Sequence, residues 1–398
     1  MAKINHLHNN LKLKGKRVLL RVDFNVPLNN GSVTESSRIQ KVLPTLKFLI
    51  ENKAKIIIIS HVGRPKGKTV PSLTLKPISK KLENLLDQKV FFLNKVIGSK
   101  VIEESKKLSN GEILLLENLR FHKEEELNSK DFAKELSKIG DIYVNEAFSC
   151  SHRSHASVSE ITNHISAFAG KQLIKEIDTI KMLTEKSERP VSCIIGGSKI
   201  SSKIGVLINL IKKMDNIIIV GAMANNFIKY KKYNIGKSLY EKNVDNLIEK
   251  ILKLSKQNDC NLTIPNDVIT SKDYNTKGHL KDLNEIDDED LILDIGNKTR
   301  KNISEIIDNS KTVLWNGPAG YFEKDEFSQG SYEIAKKIEQ NTKSKSLTSV
   351  AGGGDTVAAI NKFNCFDGFT YISTAGGAFL ELLEGKILPG IKALEVND

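Results

Sequence analysis

Six of the eight arginines in this 398-residue chain, Arg17, Arg21, Arg38, Arg64, Arg120 and Arg153, fall in its first 153 residues. The other 52 basic side chains are lysines, scattered and accompanied by many asparagines and isoleucines. A chain so biased towards lysine places arginine where only a planar guanidinium fork serves, above all to grip a carboxylate or phosphate through two hydrogen bonds. Five of the arginines (21, 38, 64, 120 and 153) lie in or near segments that directly follow apolar β-branched runs. Those segments also carry Asp23, Asn25, His61, His152 and His155. Such a cluster suits a small, strongly anionic ligand.

The second half gathers glycine instead. Gly196-Gly197-Ser198-Lys199 leads to Lys203, four residues on, so both lysines can face one ligand. Gly352-Gly353-Gly354-Asp355-Thr356 and Ala375-Gly376-Gly377 complete the set, each between an apolar run and a helical pattern. Glycine lets main-chain N–H groups approach phosphate, and a following helix adds its positive end. Asp355 beside such phosphates is a natural Mg²⁺ ligand. Gly63 to Thr69 imitates a phosphate loop, but it has three residues between its glycines where four are needed, and Pro65 interrupts it. No G-x-G-x-x-G, G-x-S-x-G or H-E-x-x-H pattern is present.

These residues need elements to position them. Short apolar runs recur at 18–22, 56–60, 90–93, 113–116, 142–144, 191–195, 217–220, 262–264, 291–294, 312–315, 347–350 and 370–373. Most lack alternation, the mark of strands buried on both faces in parallel sheets. Helical patterns at 76–86, 132–138, 244–254 and 332–339 lie between them. The expected fold is α/β: two doubly wound, Rossmann-like parallel-sheet lobes with a cleft between them. A helical stretch, 170–186, joins the lobes, so that residues 1–169 form the first and 170–386 the second. Ligands are expected beyond the carboxyl ends of the strands.

The net charge of +12 invites a nucleic-acid or membrane reading. Its diffuse lysine origin argues against both. No apolar run reaches the roughly 20 residues that span a bilayer, and the first residues lack a signal-peptide pattern. Four distant cysteines read as free thiols of a reducing cytoplasm.

The motifs resemble those of the phosphoglycerate kinase family. The likeness runs from Arg21-Val22-Asp23-Phe24-Asn25-Val26-Pro27 through His61–Pro65, Glu117-Asn118-Leu119-Arg120, His152-Arg153-Ser154-His155, Trp315-Asn316-Gly317-Pro318 and Gly352–Thr356 to Leu388-Pro389-Gly390. The resemblance implies direct, in-line phosphoryl transfer from 1,3-bisphosphoglycerate to ADP, giving 3-phosphoglycerate and ATP, with hinge closure and a monomeric enzyme. It implies that Arg21, Asp23, Asn25, Arg38, His61, Arg64, Arg120 and Arg153 hold the phosphoglycerate. Gly197, Lys199, Lys203, Gly296, Asn316, Glu323, Gly353, Gly354, Asp355 and Thr356 hold the nucleotide, with Asp355 on Mg²⁺. Arg38, Lys199, Gly353 and Gly376 stabilise charge on the transferred group. The tail, about 387–398, packs back on the first lobe. Five positions depart from the family pattern: Glu146, Ser202, Asn266, Asn297 and Ala375.

Overall fold

The computed structural model describes residues 3–29 and 31–396. The chain separates into two compact units, Met1–Asp178 with Ile387–Asp398, and Thr179–Lys386. Helix Lys171–Glu185 therefore crosses the boundary rather than opening the second unit.

The first unit is built on a six-stranded parallel sheet. Its strands run, in spatial order, Val90–Leu93, Ile113–Leu116, Lys55–Ile59, Arg17–Arg21, Ile142–Asn145 and Ala167–Ala169. The first strand of the chain is central, with Lys55–Ile59 on one side and Ile142–Asn145 on the other. The order reverses there, so the crevice beyond Arg21 and Asn145 is where a ligand has room. Ile113–Leu116 is wholly buried, and apolar side chains form one cluster on each face of the sheet. Burial on both faces explains the unbroken apolar runs.

The second unit repeats the design with Asn261–Thr263, Asn216–Ile219, Val191–Ile195, Thr312–Asn316, Thr348–Gly352 and Tyr371–Ser373, again parallel. Its order reverses between Val191–Ile195 and Thr312–Asn316. One expected strand went elsewhere. Leu291–Ile295 joins Asp267–Ser271 and His279–Asp282 in a separate antiparallel sheet. Its apolar run covers the cavity described below, so it reads like a parallel strand although its partners are antiparallel. Helix Ser37–Glu51 was also missed, because Pro44 interrupts its pattern. Among the described residues, no helix is long and apolar enough to cross a membrane.

The C-terminal segment belongs to the first unit. Leu394 O accepts from Asn5 N (3.1 Å), Val396 N donates to Lys3 O (2.9 Å), and Gly390 N donates to Ser151 O (2.8 Å). The last of these braces the loop that carries Arg153.

Glu146 finds a use for its extra methylene. Its carboxylate accepts from Gln172 N (3.1 Å), Leu173 N (2.9 Å) and the Thr45 hydroxyl, and so caps the start of helix Lys171–Glu185. Burial pushes its pKa up to about 7, against the hydrogen bonds that favour the anion. A carboxyl whose folded pKa is raised loses stabilisation as pH climbs from its unfolded value of 4.5 to about 7. Urea unfolding across that window is expected to show stability falling with pH, and Glu146→Gln to flatten that part of the slope. An unchanged slope in the variant would refute the assignment.

Candidate active site

In the first unit, Asp23 follows the central strand and organises the crevice. Its Oδ1 accepts from Asn25 N (2.9 Å), and its Oδ2 accepts from Arg38 Nη1 (2.5 Å) and the Ser149 hydroxyl. His61 Nε2 stands 3.8 Å from Asp23 Oδ1. Burial alone would raise the Asp23 pKa, but His61, Arg38 and the hydrogen bonds outweigh it and hold the group at about 2. Asp23 is therefore a permanent anion that aims Arg38, which starts helix Ser37–Glu51.

Asn25 Oδ1 accepts from Gly63 N (2.9 Å), tying the turn after the first strand to the turn after Lys55–Ile59. Arg120 donates from Nη1 to Gly63 O (2.7 Å), while its buried Nε has no hydrogen-bond partner among the described residues, with Glu126 Oε1 at 3.5 Å. Arg153 Nε donates to His152 Nε2 (3.1 Å). Arg64 is exposed and makes no hydrogen bond or ion pair among the described residues. Asp23, Asn25, Arg38, His61, Arg120 and Arg153 thus share one end of one sheet, with Arg64 at its rim.

Arg21 differs from the expectation that it touches ligand. It is fully buried, and its guanidinium is taken up by Ser157 Oγ (2.8 Å), the Val22 carbonyl and His61 Nδ1 (3.3 Å). It stands behind the pocket, with Glu125 Oε1 at 4.0 Å. Glu125 was invisible beforehand. It lies in Lys123-Glu124-Glu125-Glu126, which reads as a solvated helix start, yet it is wholly buried.

Asp23, His61 and Cys150 also bring oxygen, nitrogen and sulfur within 4.8 Å of one another, the spacing of a small cation site. The surrounding Arg21, Arg38 and Arg120 oppose a cation there. Burial raises the Cys150 pKa further, keeping the thiol protonated.

The second unit places its polar groups where its strand order reverses. Val191–Ile195 and Thr312–Asn316 end side by side, and Gly196 N donates to Asn316 O (2.9 Å). The two chains approach so closely that a Cβ on Gly317 (φ 109°) would fall 2.4 Å from Gly196 O. Lys203 crosses this junction, donating to Gly196 O and to Asn316 Oδ1 (2.5 Å). Burial lowers its pKa to about 8. Asn316 Nδ2 reaches Gly352 O (2.6 Å), and Thr356 Oγ1 accepts from Gly317 N (2.7 Å). Lys203, Asn316, Gly317, Gly352 and Thr356 therefore form one network, with Gly353 packed beside the Asn316 amide.

Beside it lies a cavity of about 360 Å³ with apolar walls that include Leu239, Pro265 and Leu293. Gly197, Glu323 and Asp355 also line it. Asp355 sits in the first turn of helix Gly354–Lys362, exposed and without a hydrogen bond or ion pair among the described residues. Lys199 is exposed and equally unengaged. The apolar walls were not foreseen, because no motif announces them.

Gly296 does not line the cavity. It caps helix Asn297–Asn309, and a Cβ there would fall 2.3 Å from Asp267 Cγ. Its glycine serves packing, and its neighbour Ile295 reaches the cavity. Gly376, φ 57°, precedes helix Gly377–Leu383 with open space around its α-carbon.

A family model described as phosphoglycerate kinase matches residues 8–386. The chain belongs to the phosphoglycerate kinase family. It is 46% identical over 389 residues to phosphoglycerate kinase of Wolbachia sp. subsp. Brugia malayi, covering 97% of each chain. It is 48% identical over 384 residues to that of Leptospira biflexa, covering 96% of each. The solved structure of phosphoglycerate kinase from Coxiella burnetii superposes with a TM-score of 0.88 at 38% identity, over 97% of each chain. The chain is accordingly a kinase of glycolysis, moving a phosphoryl group between 1,3-bisphosphoglycerate and ADP to give 3-phosphoglycerate and ATP.

The departures from the family pattern leave this architecture intact. Ser202 Oγ donates to Lys199 O (2.8 Å). Asn297 Oδ1 accepts from Arg300 (2.5 Å), and Asn266 N donates to Thr299 Oγ1 (2.9 Å). Ala375 is absent from the residues with positive φ, so its methyl imposes no left-handed strain.

Gly353 has φ 100°, and a Cβ there would lie 2.7 Å from Asn316 Nδ2. Gly353→Ala is expected to raise the KM for ATP roughly tenfold, from a strain of about 1–3 kcal/mol, with little change in the KM for 3-phosphoglycerate. An unchanged ATP KM would show that this network does not serve the nucleotide.

Proposed function

We propose that the two units divide the ligands of the reaction between them. Asp23, Asn25, Arg38, His61, Arg64, Arg120 and Arg153 hold the phosphoglycerate. Gly197, Lys199, Lys203, Asn316, Glu323 and Gly353–Thr356 hold the nucleotide. The observation that carries this reading is the separation itself. The guanidiniums stand at the switch point of one sheet, and the glycine network with its apolar cavity stands at that of the other.

The cavity walls suit a nucleobase, and the Glu323 carboxylate at its lining, without a hydrogen bond or ion pair among the described residues, suits ribose hydroxyls. Asp355 fits a Mg²⁺ bound with the nucleotide, because it lines the same cavity with its carboxylate uncommitted. The ion would supply neutralisation of phosphate charge.

In-line transfer passes through a transition state whose charge sits on the equatorial oxygens of the phosphoryl group. Arg38 and Lys199 are the cations assigned to that charge, with the Gly353 and Gly376 amides supporting. The nucleophile in the ATP-consuming direction is already a carboxylate, so no general base is required. Catalysis is alignment and electrostatics. Alignment requires the two bound ligands to meet in line, and helix Lys171–Glu185, which continues from one unit into the other, is the hinge we assign to that motion. We assign a cytoplasmic, monomeric enzyme, in keeping with four buried free cysteines.

A coupled assay for ATP formed from 1,3-bisphosphoglycerate and ADP tests the reading. Arg38→Ala is expected to lose at least about two orders of magnitude in kcat, with nucleotide affinity by calorimetry unchanged. Near-normal turnover would refute the role.

A further inference from the structure

The hydrogen bonds behind the phosphoglycerate pocket form a directed chain. Glu125 is wholly buried and both of its oxygens accept: Oε2 from Ser157 N (2.9 Å), Oε1 from Ser157 Oγ (2.6 Å). The Ser157 hydroxyl proton is thereby committed to Glu125. Its lone pairs face Arg21, whose Nε donates to it at 2.8 Å. Tyr143 fixes the same residue from the other side, donating from its hydroxyl to Ser157 O (2.6 Å). With Nε held by Ser157 and Nη1 on the Val22 carbonyl, Arg21 presents Nη2 to His61 Nδ1 at 3.3 Å.

A guanidinium donates and never accepts. His61 Nδ1 must therefore carry the lone pair, and the proton of a neutral imidazole must sit on Nε2. That atom has no hydrogen-bond partner among the described residues and stands 3.8 Å from Asp23 Oδ1.

We infer that Ser157 and Glu125 are positioning residues that act through Arg21 to hold His61 in a single tautomer, a neutral Nε2–H donor aimed at the bound phosphoglycerate. The inference rests on the assignment of this pocket to that ligand. Among the charged and titratable groups around His61, Asp23 favours the imidazolium, while Arg21, Arg120 and His155 oppose it. Burial, the largest influence, acts with those three against Asp23 and takes the pKa well below its ordinary value. The Cys150 thiol, 3.9 Å from Arg21 Nη2, stays protonated. His61 thus contributes direction rather than charge, and the arginines supply the positive field.

The test is ¹⁵N spectroscopy of the His61 ring in the whole protein near neutral pH, assigned with His61→Gln and combined with kinetics. In the wild type, Nε2 is expected to be protonated and Nδ1 bare. Ser157→Ala is expected to mix the tautomers and raise the KM for 3-phosphoglycerate about two- to tenfold, the range of one lost hydrogen bond. The KM for ATP should hold, and Ser157→Thr, which keeps the hydroxyl, should restore both readouts. A wild-type ring protonated on Nδ1, or charged at neutral pH, overturns the inference without any variant. So does a Ser157→Ala protein whose His61 tautomer is unchanged. If the tautomer behaves as expected but His61→Gln leaves the 3-phosphoglycerate KM unmoved, the assignment of the pocket falls and the hydrogen-bonded relay stands.

Discussion

Crowding guanidiniums at one end of a sheet is electrostatically unfavourable, and much of the first unit can be understood as the means of holding them there. Asp23 and Glu125 are the counter-charges, one at the pocket and one behind it. They are held in different ways. Asp23 is stabilised as an anion by the Arg38 guanidinium and by hydrogen bonds from Ser149 and Asn25. Glu125 is pushed up by burial and held by Ser157 and Arg21. Each fixes the direction of an arginine, Arg38 in one case and Arg21 in the other. The sheet supplies the rigid frame, since the strands that carry these groups are packed on both faces.

The second unit solves the opposite problem. Its polar groups gather where two strand ends meet, so the difficulty is bringing backbone close to backbone. Glycines at the ends of two adjacent strands permit contacts that any side chain would block. Lys203 spans the junction and supplies the positive charge that the glycines lack. The same doubly wound topology thus gathers arginine side chains at a strand end in one unit and a glycine-rich strand junction in the other.

Much of this was legible in the sequence. Apolar runs without alternation announced parallel strands, and reading the residues after each run found Asp23, His61, Arg120 and Arg153. What was not legible depended on three-dimensional company. Glu125 has the local pattern of a surface residue, and only the packing of Ser157 and Arg21 around it makes it part of the site. Leu291–Ile295 has the composition of a parallel strand, and the other strands of its antiparallel sheet, Asp267–Ser271 and His279–Asp282, carry too few apolar residues to stand out. Arg21 and Gly296 carried the right motif, yet Arg21 stands buried behind His61, and Ile295 rather than Gly296 lines the cavity. A motif identifies a segment more reliably than it identifies which atoms of the segment point outward.

The lysine-, asparagine- and isoleucine-rich character of the chain bears on the junction of Gly196 and Gly317. Codon drift can exchange leucine for isoleucine in a core, or one cation for another on a surface, at small cost. It has no such latitude where two backbones meet and the side chain is a hydrogen atom. At this junction of the second unit, packing is encoded in backbone shape, which lies outside the currency of amino-acid usage. The arginines of the first half enjoy no such shelter, since a guanidinium offers a planar fork of donors that a simpler cation lacks.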